Sequence, residues 1–298
     1  MNAAQVLLEG LIDYAGLFPP ASLDMSSAVR AYAEHKTSDD RKFLGRFILP
    51  VSSLGEFANA AGPFVATSTD PWRLSVTVPG DPAKARDAVF EFNRYMAADE
   101  EIRQLQCDAV EIPVRSAGDI EIALATFPDS LELFLEIPVQ PDPAGSVKLL
   151  SGTRARAKIR TGGVIESSIP SAPDVVRFMR ACFDLDVPFK ATAGLHHALR
   201  GRYPLTYEVD SARGTMYGYL NIFLAAAFLE AGMDDVDLVQ FLEESNPAAL
   251  TVDEAGVRWR AFSITTNELS DTRRLFARSF GSCSFVEPVS EAKELNLI

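Results

Sequence analysis

Glu111, Glu136, Lys158, Arg160 and Lys190 each fall within a short apolar run of the kind that forms a strand: residues 108–114 (DAVEIPV), 131–139 (LELFLEIPV), 156–161 (RAKIRT) and 187–193 (VPFKATA). Side chains alternate between the two faces of a strand. If Val110, Ile112, Leu133, Leu135, Ile137 and Ile159 face covering helices, then Glu111, Phe134, Glu136, Lys158 and Arg160 turn the other way. Lys190 and Thr192 share a face in the fourth run. The two EIPV tetrapeptides place their carboxylates at equivalent levels. Carboxylates and amines gathered in a low-dielectric space are costly unless paired. One lysine desolvated there, or set beside another cation, yields a neutral amine that attacks a carbonyl and forms a Schiff base. Glu111 or Glu136 then moves protons. Arg160 suits a substrate carboxylate or phosphate through its fork of N–H groups. The non-catalytic alternative is a salt-bridge layer that closes one end of the sheet.

The ends of two of these runs are glycine-rich: Thr161, Gly162 and Gly163 follow Arg160, and Gly194 follows Thr192 and Ala193. Bare backbone at adjacent strand ends lets N–H groups approach an anion closely, so a small anionic substrate is expected. His196 and His197 come directly after, and Asp13 precedes Ala-Gly-Leu-Phe-Pro-Pro near the start of the chain. All three are candidates for substrate binding. Glu111, Glu136 and His196 also form an alternative ligand set for a divalent metal that activates water, which would make the protein a hydrolase or isomerase. On the Schiff-base reading no cofactor is needed. Cys283 has no base placed beside it by sequence, so a loop or buried thiol is the expected role. Asn221, in an apolar stretch, is expected to hydrogen-bond within the core. His35 is expected at the surface.

Lys158-Ile-Arg-Thr-Gly-Gly163 and Phe189-Lys-Ala-Thr-Ala-Gly194 resemble the sixth- and seventh-strand lysine motifs of class I aldolases of the deoxyribose-phosphate aldolase type. The resemblance implies a lyase in which Lys158 carries the Schiff base and Lys190 is the neighbour whose charge eases loss of its proton. Glu111, Glu136, Arg160 and the His196-His197 pair depart from that pattern. Over the whole chain, the segments AGLFPP, GLHH and FGSCSF resemble a bacterial (β/α)8-barrel family without an assigned reaction.

Between the strand runs lie helical patterns at residues 53–60, 81–106, 116–126, 142–150 and 171–184, several opening on Asp or Ser as helix caps. Runs at 46–51 and 73–78 extend the alternation backward, and LIDY near the start supplies a first strand followed by a helix at 24–35. Alternating strands and helices imply a parallel sheet. No GxGxxG follows the first strand, which favours a (β/α)8 TIM barrel over an open doubly wound sheet. The eighth strand is expected within residues 217–232 (YGYLNIFLAAAFLEAG), unless that segment is wholly a buried helix or an interface between copies of the chain. Residues 1–247 are then the barrel. Residues 248–298 are an extension packed on it, with a hairpin turning at 253–256, a helix near 270–278 and a loop at 280–285.

Lys and Arg number 28 against 41 Asp and Glu, a net charge of −13 that repels phosphate backbones and argues against nucleic acid as a partner. No apolar run approaches the roughly 18 residues of a membrane span, and the first ten residues lack the features of a secretory leader. A cytoplasmic protein is expected. Its three cysteines, without CxxC spacing, are expected to be reduced thiols.

Overall fold

Eight parallel strands close into a barrel in the computed structural model, which describes residues 2–66, 70–100 and 102–298. The first seven follow the chain: β1 (Ile12–Tyr14), β2 (Leu44–Pro50), β3 (Trp72–Thr77), β4 (Leu105–Pro113), β5 (Glu132–Glu136), β6 (Arg156–Arg160) and β7 (Phe189–Thr192). Two small antiparallel sheets come next. A hairpin pairs β8 (Gly201–Pro204) with β9 (Arg213–Met216), and a three-stranded sheet contains β10 (Leu250–Val252), β11 (Gly256–Trp259) and β12 (Phe262–Thr265). The eighth barrel strand is β13 (Ala277–Ser282), which lies between β7 and β1. The protein is a (β/α)8 TIM barrel.

The helices are α1 (Ala3–Leu8), α2 (Met25–Thr37), α3 (Leu54–Val65), α4 (Pro82–Ala98), α5 (Ala117–Thr126), α6 (Ala144–Lys148), α7 (Ala172–Asp184), α8 (Tyr219–Glu230), α9 (Asp235–Leu242), α10 (Thr266–Leu275) and α11 (Val286–Glu294). Their starts follow from side-chain caps. Asp24, Asp81, Ser116, Ser171, Asp234 and Thr265 each accept a hydrogen bond from a backbone N–H in the first turn, satisfying donors the helix itself leaves open. Val110, Ile112, Leu133, Leu135 and Ile159 are buried in the apolar layer of the barrel wall and its helices, as their alternation requires. The helix expected at 81–106 stops at Ala98; residue 101 of that span lies outside the described residues. None of the described helices is long and apolar enough to cross a membrane.

One open alternative is decided and one expectation needs correction. Of the two readings of residues 217–232 the buried helix holds, and the segment contains no strand. It forms α8, buried from Tyr219 to Leu229, because a long run apolar on every side satisfies its backbone internally and packs all round. Nor are residues 248–298 an appendage, since Ala277–Ser282 closes the barrel and the expected loop at 280–285 begins inside that strand. The expected hairpin is present as a three-stranded sheet, and the helix lies at Thr266–Leu275.

Candidate active site

Parallel register sets the depth of each charged group. Lys158 pairs with Glu136 on one side and Lys190 on the other, so these three residues share a level across β5, β6 and β7. Glu111 pairs with Phe134 and Glu136 with Pro113, so Glu111 sits two residues deeper. The two EIPV carboxylates are therefore not at equivalent levels, and the deeper one is almost completely buried.

The interior groups form one continuous ladder. At its foot, Asp13 on β1 takes a hydrogen bond from the Arg46 N–H at 2.7 Å and from Ser279 Oγ at 2.8 Å. Lys190 Nζ lies 2.7 Å from both Asp13 Oδ2 and Glu111 Oε1, and 5.0 Å from the centre of the Phe134 ring. Ser75 Oγ donates to the same Glu111 oxygen at 2.7 Å. The other Glu111 oxygen, Oε2, is 2.8 Å from Lys158 Nζ, which is also 2.8 Å from Glu136 Oε2. Arg160 Nε completes the ladder at 3.0 Å from Glu136 Oε1.

Burial alone would favour the neutral carboxyl at Glu111, but Lys158 and Lys190 outweigh it and hold the group far below the usual carboxylate range. Burial likewise opposes charge on Glu136, and Lys158 and Arg160 again prevail and lower its pKa. At Lys190 burial disfavours the ammonium, yet Asp13 and Glu111 raise its pKa above the ordinary value. Lys190 is a fixed cation with no exposed surface. Glu111 lies between the two amines, binding Lys158 with Oε2 and Lys190 with Oε1.

Above the ladder, at the C-terminal ends of the strands, lies a cavity of about 380 Å³. Lys158 and Glu111 reach it from below, and Arg160, Thr192, Gly163, Gly194 and His196 line its sides. Phe18, Ile48, Leu205 and Met216 give it apolar walls. This is where TIM-barrel chemistry is placed. Gly194, at φ +77°, lies so close to Gly162 that a Cβ on Gly162 would come within 2.8 Å of the Gly194 Cα. The two strand ends meet backbone to backbone, which only glycine permits at both positions.

Other sequence candidates go elsewhere. Gly162 supports the wall without lining it, and Thr161 is buried with its hydroxyl donating to the Ala193 carbonyl at 2.8 Å. Asp13 sits at the foot of the ladder, beyond Lys190 from the cavity. His197 turns away, with Nδ1 2.5 Å from Glu291 Oε1 and its ring stacked on Tyr203. Asn221 serves the core, accepting from the Arg200 and Gly218 N–H groups and donating to the Phe241 and Glu244 carbonyls. His35, expected at the surface, packs against Tyr14 and Phe285.

The alternative metal set is not assembled. Glu111 and Glu136 both bind the Lys158 ammonium, which stands where a cation between them would have to be, while His196 faces Cys283 and Glu287. Among the described residues no three His, Cys, Asp or Glu side chains converge as metal ligands. The residues present do not fit a divalent metal.

Sequence reasoning missed what surrounds His196. Cys283 Sγ is 3.8 Å from its Nδ1 and 3.9 Å from its Nε2, and both residues line the cavity. Residues 87 positions apart on separate loops leave no local pattern to detect. Comparison with known protein families, with curated proteins and with solved structures finds no match for the chain.

Proposed function

We propose that the protein is a lyase of the aldolase kind that binds a small anionic carbonyl compound as a Schiff base on Lys158. One observation carries this reading: Lys158 lines the cavity and is held between Glu111, which reaches the same cavity, and Glu136 just outside it. An amine in that position meets a carbonyl carbon entering from the mouth. Proton transfer from the ammonium to Glu136, the more accessible carboxylate, frees the nitrogen lone pair for attack. The alkoxide formed by attack takes one of the two protons left on the nitrogen, and the Glu136 carboxyl gives its own to the resulting hydroxyl, which leaves as water. Lys190 keeps Glu111 ionised throughout, and that charge stabilises the cationic iminium. Arg160 supplies the positive charge for the substrate's anionic group. Three free cysteines, all buried, fit a reducing, cytoplasmic setting.

The full pairing of both lysines supports a second reading, a non-catalytic barrel whose charged layer binds an anion. Borohydride trapping with a panel of short keto acids and phosphorylated aldehydes separates the two. The lyase reading expects a reduced adduct that peptide mass mapping places on Lys158 and that Lys158→Met abolishes. A panel that leaves Lys158 unmodified throughout removes that reading.

A further inference from the structure

We propose that Cys283 is a second nucleophile of the barrel-mouth cavity, set by His196 to add reversibly to the carbonyl carbon of a small aldehyde. The thiol and the imidazole come from the segment after β13 and the loop after β7, and both line the cavity that Lys158 enters from below. Glu287 Oε2 on α11 is 3.4 Å from His196 Nδ1, and Ser282 Oγ is 3.4 Å from the same nitrogen. Tyr207 reaches in from the loop between β8 and β9, its hydroxyl 3.7 Å from Cys283 Sγ and 2.9 Å from Glu287 Oε2. The thiol lies almost equally far from the two ring nitrogens, 3.8 Å from Nδ1 and 3.9 Å from Nε2, so the imidazole can pass a proton to and from the sulfur, while Glu287 holds the ring at Nδ1.

The charged and titratable groups around the thiol are His196, Glu287, Tyr207 and Tyr14. Burial works against charge on His196, but Cys283 and Glu287 outweigh it and raise the ring to about 9, so it carries a proton at neutral pH. Burial pushes the Cys107 thiol up to about 12, and burial raises Cys182 well above its ordinary value. Neither lines the cavity.

The step balances without an oxidant or a cofactor. Sulfur bonds to the carbonyl carbon, the C=O π pair moves to oxygen, and that oxygen takes the proton from His196. The thiol proton replaces it on the ring. The product is a thiohemiacetal, and reversal of the same transfers releases the aldehyde. With Arg160 beside it, the cavity favours an aldehyde that bears a negative charge. This inference does not depend on the Schiff base at Lys158.

Iodoacetamide labelling in the presence of glyoxylate, an anionic aldehyde, or glycolate, its analogue without a carbonyl, provides the test. The native protein should take up one label, on Cys283, and His196→Asn should slow that labelling at pH 7 at least about tenfold. Excess glyoxylate should protect Cys283 in the wild type and in Lys158→Arg, which keeps a cation between the carboxylates but forms no Schiff base, while glycolate should not protect it. Protection that is lost in Lys158→Arg arises from an adduct at Lys158 and overturns the proposal. So does equal protection by glycolate, or labelling of Cys107 or Cys182 as fast as Cys283.

Discussion

The barrel carries charge at both ends, but in two different chemical forms. At the N-terminal ends of the strands a cleft of about 300 Å³ is lined by Arg46, Arg73, Arg278, Lys36, Glu132 and Asp13. Arg46 binds Asp108 at 2.6 Å and Glu132 at 3.2 Å, Arg73 shares Asp108, and Arg156 approaches Glu132 at 3.5 Å. Guanidinium groups stay protonated at any working pH, so this network binds and braces but cannot supply a nucleophile. The interior and the C-terminal end add to Arg160 two lysines held by carboxylates, one sealed and one facing a cavity with apolar walls. An ammonium gives up its proton when its surroundings change; a guanidinium does not. The contrast assigns bracing to one end and chemistry to the other, although both are full of ion pairs.

Substitutions test that division in order of size. Lys190→Met leaves Asp13 and Glu111 buried without their shared cation, and urea unfolding should register a loss of about 3–5 kcal/mol. A loss under about 1 kcal/mol would mean that the ladder is not a closed set of charges. At the opposite end, Asp108→Asn weakens a largely buried acceptor of Arg46 and Arg73 and should cost about 1.5–3 kcal/mol by the same measurement, with carbonyl trapping at Lys158 intact.

At the rim the expected effect takes the form of a pH slope. His196 is raised to about 9 in the folded protein from roughly 6.5 when unfolded. Its contribution is therefore fully present below about pH 6.5 and is lost as pH rises through about 9. Thermal melts between pH 6 and pH 10 should fall more steeply for the wild type than for His196→Asn, and identical slopes would separate His196 from its thiol and carboxylate partners. The smallest change is Arg73→Ala. That side chain is 59% exposed, and its loss should cost less than about 1 kcal/mol.

Strand alternation was enough to identify four interior charges from sequence, because Glu111, Glu136, Lys158 and Lys190 interrupt runs whose other face is unambiguously apolar. The ladder's connectivity was not legible in the same way. It depends on register between strands, which made Glu111 two residues deeper than Glu136 and placed it between the lysines. The eighth strand was hidden for a compositional reason. Ala277–Ser282 (ARSFGS) has no β-branched residue, and Ser279 and Gly281 are small where the interior must hold Asp13 and the cavity. By contrast, the apolar segment that forms α8 leaves strand and buried helix both open, because hydrophobicity without periodicity does not distinguish them.

The seam between β1 and β13 joins Ile12 to Phe280, Asp13 to Gly281 and Tyr14 to Ser282. Asp13 consequently receives Lys190 from 177 positions away and Ser279 from 266. During synthesis on the ribosome, the acids and amines of the middle strands emerge before the segment that shuts the ring, and until it docks their lowest carboxylate lacks the Ser279 hydroxyl. Competence must arrive late and all at once, when the last strand docks against the first.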